Sequence, residues 1–511
     1  MKSFFNRKKK NNNNQYKEVP ISSCLEINLE KVKEIFEYPT NMDFIMREIY
    51  IKPLNKNSTL IYIQGAADKA QIEQHIIAPL LENVQIEIKE GQLADIMSKV
   101  LHAAVLKKIT TLSDITNNII LGNTILFVDG YAEAISIGTS GFESRSVEQT
   151  KIENVIKGPK EAFVESLEMN RSLIRKFVQN EKLVAERIKL GEKSSYEISV
   201  MYIKDIADPE LVEKVKKRVR EIKVDGMIGI SQLEQHIEER PYSLVPTVLN
   251  TERPDRAASF LNEGYVVLID HSPGCLVLPV TIWSFFHSAE DQYQRWPYAN
   301  FIRIIRLISY MIALFTPGAY IALSVFHVAM VPTDLLLSIA ATRELVPFPV
   351  FLEVLIMEIS FELIREAGAR VPSPLGSTIS IVGALILGQA AVQAGIISPI
   401  LVIVVAITGL ASYAIPENST NYMIRIGRFA YMLIGAFMGF YGLALFFAGS
   451  LAYMVSIKSF NVPFFAPKAP YYPSSKDTFL RPPVWKQWLR PFFTDPQDKV
   501  RAKNPKERSN Q

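Results

Sequence analysis

Apolar and charged positions are unevenly shared along this chain. Up to about Asn300, apolar residues recur among charges, in runs of four or five that read as strands and at spacings of three and four that read as amphipathic helices. From Leu307 to Ile457 the sequence is largely apolar and poor in Lys. A run of ~20 apolar residues makes a helix long enough to cross the ~30 Å hydrocarbon core of a bilayer. The pattern therefore predicts a soluble α/β region followed by an α-helical membrane domain of several spans.

Within the soluble part, Leu60-Ile61-Tyr62-Ile63 predicts a strand, Asp68 a helix cap, and Ile72, Ile76 and Leu80 the buried side of the helix that follows. The pattern returns 140 residues later as Val200-Met201-Tyr202-Ile203, Asp208, and Leu211, Val215 and Val219. A second pair of strands ending in Asp, Ile125–Asp129 and Val266–Asp270, is offset by 141. Matches in order at a near-constant separation predict two similar α/β subdomains, over 26–160 and 161–280. The aspartates could be catalytic, but an Asp at such a place usually caps a helix or closes a turn. In Thr251-Glu-Arg-Pro-Asp-Arg256 the Pro and Asp suit a helix start, with a local salt-bridged cap around them. Residues 1–25, basic and Asn-rich, read as disordered.

Aromatics cluster from Thr281 to Trp296, and Arg303 and Arg306 follow, so 281–306 reads as an interfacial helix. The membrane domain is expected over 307–457. Its first span, Leu307–Val331, is interrupted by Pro317-Gly318, a break tolerated only against protein or water. Between Leu335 and Arg370, Glu353, Glu358, Glu362 and Glu366 lie in an apolar helix pattern with Arg343, Arg365 and Arg370 nearby. Such carboxylates cannot face lipid. Either the helix lies at the interface with its charges solvated, the favoured reading, or it lines a charged vestibule. Glu362 and Arg365 can pair at i, i+3.

Leu375–Ile415 supplies two uncharged segments joined at Gly395. At 100° per residue Thr378, Val382, Leu385, Gln389 and Gln393 fall within one arc, a candidate pore lining with polar ends and an apolar middle. The small residues Ser377, Ala384, Gly388, Ala391 and Gly395 form a stripe beside it, which reads equally as ordinary helix packing. Asn418–Arg428 reads as a polar connection and Phe429–Ile457 as the last span. Five spans would place the two ends of the chain on opposite sides. That conflicts with the tail, 458–511, which is Pro-rich and holds eleven Lys and Arg against four acids, as cytoplasmic segments do.

Composition narrows the chemistry. Net charge is only +4, and no basic face interleaved with aromatics suggests nucleic acid. Cys24 and Cys275 show no metal-ligand spacing, and neither a Walker loop nor GxGxxG is present. No nucleophile and base are paired, so neither an enzyme nor a cofactor is expected. The N-terminus lacks a signal peptide, which leaves the soluble region cytoplasmic.

Thr251–Arg256, Trp283-Ser-Phe-Phe286, Glu290-Asp-x-Tyr293, Leu335–Ala341, Phe361–Gly368 and Ser380-Ile-Val-Gly383 resemble the A subunit of GerA-type spore germination receptors, over about Leu60 to Pro483. The resemblance implies a nutrient receptor in the inner membrane of a bacterial endospore, working with a transporter-like B subunit and a lipoprotein C subunit. It also implies a homo-oligomeric ring, a pentamer, that forms a germinant-gated cation channel. Pro317, Gly318, Glu358, Glu362, Arg365 and Arg370 would then be gating or assembly residues. A secondary transporter subunit and a membrane-anchored scaffold are the alternatives. Gln64 and His271 depart from the family pattern.

Overall fold

The computed structural model describes residues 19–82, 103–142, 153–370, 386–475 and 477–502, with a few isolated positions between them. Two antiparallel five-stranded sheets build the soluble region. The first contains β1 (Phe44–Ile51), β2 (Lys56–Ile63), β3 (Leu106–Ile109), β4 (Thr124–Val128) and β5 (Ala134–Ile137), in the order β1-β2-β4-β5-β3. The second contains β6 (Leu183–Leu190), β7 (Tyr196–Ile203), β8 (Leu249–Thr251), β9 (Val266–Ile269) and β10 (Cys275–Leu278), in the order β6-β7-β9-β10-β8. The order is the same in both. Tyr62 and Tyr202 occupy the second strand of their sheets, and the runs ending at Asp129 and Asp270 form the middle strands.

Successive strand residues face opposite sides. Ile61, Ile63 and Phe127 bury one face of the first sheet with α1 (Leu25–Ile35) and α2 (Leu112–Ile120), while Leu60, Leu126 and Val128 bury the other with the helical turns of Lys69–Leu81. Burial on both faces is why these strands read as continuous apolar runs. Asp68 accepts the amides of Ala70 and Gln71, and Asp208 those of Glu210 and Leu211 at the start of α4 (Pro209–Arg220). Asp270 accepts the Ser272 amide at 2.6 Å and the Tyr196 hydroxyl. These aspartates cap and turn the chain.

The two sheets meet across α3 (Leu167–Phe177). Arg171 and Arg175 place their Nε atoms 2.9 and 2.7 Å from the carboxylate of Asp43, and all three side chains are buried. Gln64, a departure from the family pattern, donates to Glu168 Oε1 at 2.7 Å across the same joint.

Beyond the second sheet the structure differs from the sequence reading in three places. The aromatic stretch is not one interfacial helix: Ile282–Phe286 and Glu290–Tyr293 are separate short helices, with Trp283, Phe285 and Phe286 buried in protein. The aromatics pack on the chain's own C-terminal segment, which periodicity could not reveal. That segment is irregular, as its prolines require, but docked. Ser459 Oγ accepts from Val280 N (3.0 Å), Phe464 O from Ile282 N (2.8 Å), and Asn262 O from Arg490 Nε (2.8 Å).

The second difference is in the first long helix, α7 (Trp296–Val325), which follows α5 (Ile230–Ile237) and α6 (Pro254–Leu261). It runs through Pro317 without a break. Arg303 and Arg306 at its base are buried and pair with Asp291 at 2.9 and 3.0 Å. After it come α8 (Thr333–Arg343), α9 (Val350–Arg370), α10 (Pro399–Tyr413) and α11 (Asn418–Ser456). Pro347 and Pro349 separate α8 from α9, so Leu335–Arg370 is two helices.

The third difference changes the topology. Gly439 interrupts α11 with φ 59° and ψ −150°, a conformation essentially restricted to glycine. Tyr431 and Ser450, which would be ~28 Å apart along a straight helix, place their hydroxyls 2.9 Å apart. Rings of Tyr431 and Phe446 are in contact, 4.8 Å between centroids. α11 is therefore a hairpin of two antiparallel arms, 418–438 and 440–456. Its tip meets Phe326 and His327 beyond the end of α7, and the imidazole of His327 accepts the Phe440 amide left free by the break (3.4 Å). Its second arm returns to the soluble region, where Ile457 enters the core of the second sheet. The polar stretch Asn418–Arg428 belongs to the first arm.

Removing Asp43 would leave buried Arg175 without a carboxylate and Arg171 with only the more distant Glu197 (4.0 Å), a loss of ~3–5 kcal/mol for a broken buried pair. Asp43→Ala is expected to lower the denaturation midpoint of the protein, and Asp43→Glu to lower it less. Equal midpoints in Asp43→Ala and wild type would show that the pair does not hold the two sheets together.

Candidate gating and pore-lining site

α9 turns Glu353 and Glu358 inward, while Glu366 and Arg370 at its end are exposed. Glu353 and Glu358 are each 1 % exposed, whereas Leu352, Ile356, Ile359 and Leu363 on the opposite side are exposed. That inversion, with charges inside and apolar residues outside, suits a helix bundle surrounded by lipid. It overturns the reading of α9 as an interfacial helix with solvated charges. A helical pattern shows which residues share a side but not which side faces the protein.

The partners of these carboxylates come from other helices. Glu353 accepts from Arg343 Nη2 (3.0 Å) and from the Ser398 amide ahead of α10 (3.3 Å). Arg428, 2 % exposed on the first arm of α11, lies between Glu358 and Glu362, 3.1 and 2.7 Å from their carboxylates. Arg425 Nε donates to Glu362 at 2.9 Å. Arg365 stands 3.5 Å from Glu362, donates to Ser412 Oγ at 3.0 Å and lies over the Tyr413 ring. Glu358, Glu362 and Arg365 are thus brought together as anticipated. Arg370 is apart, paired with Glu366 on the exposed surface.

The sequence reading did not identify Arg425 and Arg428 as partners of α9. Both stood in what was taken for a polar connection. Two arginines spaced three apart at the edge of an apolar run were the available signal, because a helix that continues through them buries both on one side. The balance of the cluster matters for its role. Two carboxylates face three guanidiniums, which leaves one positive charge, and a net cation repels passing cations. The cluster's bonds join α9 to the first arm of α11.

Pro317 and Gly318 serve packing. A Cβ on Gly318 would stand 2.7 Å from the Tyr431 carbonyl oxygen, and one on Gly435 would stand 2.6 Å from that of Gly318. α7 and the first arm of α11 cross closely only because both positions lack side chains.

Of the candidate pore residues, Thr378, Val382 and Leu385 lie outside the described residues. Residues 386–393 are helical, and Gln389 and Gln393 are exposed on them. From the small-residue stripe, Gly388 is buried 3.2 Å from Val402 of α10, measured to its notional Cβ, and Ala391 packs beside it. Gly388 and Ala391 face the bundle, whereas Gln389 and Gln393 are exposed.

A buried arginine ties this bundle to the soluble region. Arg256 of α6 lies 3.1 Å from Glu153, in the segment joining the two sheets, and 3.7 Å from Glu417, which precedes α11. It also donates to the carbonyls of Ser284 (2.8 Å) and His287 (3.1 Å) ahead of α7. Burial holds the Glu417 carboxyl up to about 7, while Arg256 opposes that shift. Arg253 pairs with Asp255 at 2.9 Å, the local cap anticipated for this motif.

Arg428→Met would strand the buried Glu358 carboxylate at a cost of ~3–5 kcal/mol. The level of the folded protein is expected to fall sharply. Glu362→Leu, which leaves Arg428 its Glu358 partner, is expected to reduce it less. Wild-type levels of both variants would show the cluster to be dispensable.

A family model described as "Bacillus/Clostridium GerA spore germination protein" matches residues 30–493. Spore germination protein KA of Bacillus subtilis (strain 168) is 39 % identical over 95 % of this chain and 90 % of its own length. Spore germination protein GerLA of Bacillus cereus is 35 % identical over 95 % of this chain and 99 % of its own. A crystal structure of the N-terminal domain of the A subunit of the Bacillus megaterium spore germinant receptor GerK3 aligns with 50 % of this chain and 95 % of its own, at 25 % identity and a TM-score of 0.40. By the extent of the family match and the identity to these relatives, the chain belongs to the GerA family of spore germination proteins, the A subunits of germinant receptors.

Proposed function

We propose that this protein is the A subunit of a nutrient germinant receptor in the inner membrane of the spore, and that several copies enclose a cation pore that opens when nutrient is sensed. The observation that carries the pore reading is the orientation of the 386–393 helix. Gly388 packs inward on α10 while Gln389 and Gln393 face out. Amides facing hydrocarbon are costly. They are satisfied if the outward face meets water in a channel shared by neighbouring copies. Thr378, Val382 and Leu385 would complete that face, and a pentameric ring follows the family resemblance. A transporter-like B subunit and a lipoprotein C subunit are the partners that resemblance implies.

Among the described residues two helices are long and apolar enough to cross a membrane, α7 and α11. α11 is a hairpin, and we assign six crossings: α7, α9, a segment ending near residue 394, α10, and the two arms of α11. An even number is supported by the C-terminal segment, which packs on the soluble region and so shares its side, the spore core. The count of five came from taking the end of the hairpin for a single span. A secondary transporter is disfavoured because the internal repeat lies in the soluble region rather than in the helices.

Val382 and Leu385 would form the apolar constriction that holds such a pore shut by excluding water. Val382→Ala shortens the side chain at little cost to the helix, and the reconstituted receptor is expected to leak monovalent cations without nutrient. Loss of packing predicts a scarcer, less responsive receptor instead, so protein level is measured alongside flux. A tight Val382→Ala receptor, with cysteines along this face inert to water-soluble thiol reagents in the activated state, would remove the segment from the pathway. A wild-type receptor that passes no ions would favour the scaffold alternative.

A further inference from the structure

Two loops of the soluble region expose apolar side chains beside the ends of the membrane helices. In the first, Tyr242 is 102 % and Leu244 50 % exposed. Arg240, two residues earlier, donates to Ser456 Oγ at 3.1 Å and to the Ser456 carbonyl at 3.3 Å, at the end of the returning arm of α11. Its guanidinium also lies over the ring of Tyr453 on that arm, 5.3 Å from the centroid. Four residues of chain reach at most ~14 Å, so Leu244 is held close to the level at which the arm leaves the bundle. Lys458, exposed, follows directly.

The second loop carries Ile156, 80 % exposed, and Lys157, also exposed. Glu153, three residues earlier, shares Arg256 with Glu417 at the start of the outgoing arm. Ile156 is therefore within ~11 Å of a residue anchored at the other near end of the same hairpin. Single exposed apolar residues are common and usually need no explanation. These differ in position: each lies a few residues from a side chain that touches α11 where it enters or leaves the bundle. Tyr298, Tyr413, Tyr422 and Tyr453 are exposed on the helices themselves near these ends. Tyr and Trp concentrate where a bilayer meets water, and basic residues beside them face anionic headgroups.

We propose that the Tyr242–Leu244 and Ile156 loops insert into the headgroup layer of the membrane that the helices cross, with Arg240, Lys157 and Lys458 against anionic lipid. The soluble region is then held on the bilayer at two points besides its covalent links. This inference rests on the membrane assignment made above. A charged or rigid loop would serve a soluble partner equally well, but exposed Tyr, Leu and Ile beside helix ends have lipid as their nearest continuous apolar neighbour.

The test uses the full chain reconstituted in phosphatidylglycerol-containing vesicles, with the exposed Cys24 replaced by Ser and the buried Cys275 kept. A fluorophore is attached to a single cysteine at Tyr242→Cys, Ile156→Cys, Lys193→Cys or Leu433→Cys, and quenching by lipid spin-labelled near the headgroup is recorded. Lys193 is an exposed position in the loop between β6 and β7, and Leu433 is exposed on the first arm of α11. Severalfold stronger quenching at 242 and 156 than at 193, falling when phosphatidylglycerol is left out, is the expected result. If 433 is quenched by lipid but 242 and 156 behave like 193, the loop proposal is wrong and the membrane assignment stands. If 433 is not quenched by any lipid, the membrane assignment itself fails. Disulfides between copies at position 242 without lipid quenching would identify a second copy as the occupant and overturn the proposal.

Discussion

At Gly439 the backbone holds a conformation that a Cβ would block, and a 39-residue helix folds back there into two arms. Much of the remaining architecture depends on that reversal. Because the second arm returns, Ile457 reaches the core of the second sheet and the chain beyond it can cover the aromatics of Ile282–Phe286. A helix that did not reverse would carry Ile457 and the basic tail tens of ångströms from the soluble region, since each helical residue advances ~1.5 Å. At the break the imidazole of His327, just past the end of α7, accepts the Phe440 amide. Backbone groups freed within a bundle need such a partner.

The joint between soluble region and bundle is made of buried charge rather than apolar packing alone. Asp291 receives Arg303 and Arg306 from the base of α7. Arg481 from the C-terminal segment donates to the Asp291 carbonyl at 2.5 Å, and the guanidiniums around the Asp291 carboxyl hold it below the usual carboxylate range. Arg256 performs the corresponding work for α11 through Glu417. Buried pairs of this kind contribute little net stability but are costly to break, and their directional bonds fix one geometry. These bonds fasten the soluble region to the bases of α7 and α11 together.

The soluble fold was largely legible in the sequence because its strands are buried on both faces and its helices are capped by Asp. Leu60–Ile63 and Val200–Ile203 stand out as apolar runs for that reason, and Asp68 and Asp208 mark the helix starts that the structure contains. The bundle was less legible. Glycine is frequent in membrane helices, and nothing local separates Gly435, where two helices touch, from Gly439, where one helix reverses. Charged residues were misassigned in a related way. Glu358 and Arg428 are 70 positions apart, so neither could announce its partner, and each alone looked like a residue that needed water.

The cluster around Arg428 also constrains where a pathway can run. α9 turns the carboxylates of Glu358 and Glu362 toward α11, and in doing so it gives its outer face to Ile356, Ile359 and Leu363. The interior between α9 and α11 is filled by those ion pairs and by apolar side chains such as Met357 and Met432. A cation meeting the cluster would face a surplus guanidinium in a region of low dielectric, where like charges repel strongly. One copy therefore offers no favourable route through this part of its own interior. The polar residues turned outward on 386–393 lie away from that interior, which is why the pore proposed above is placed between copies and not within one chain.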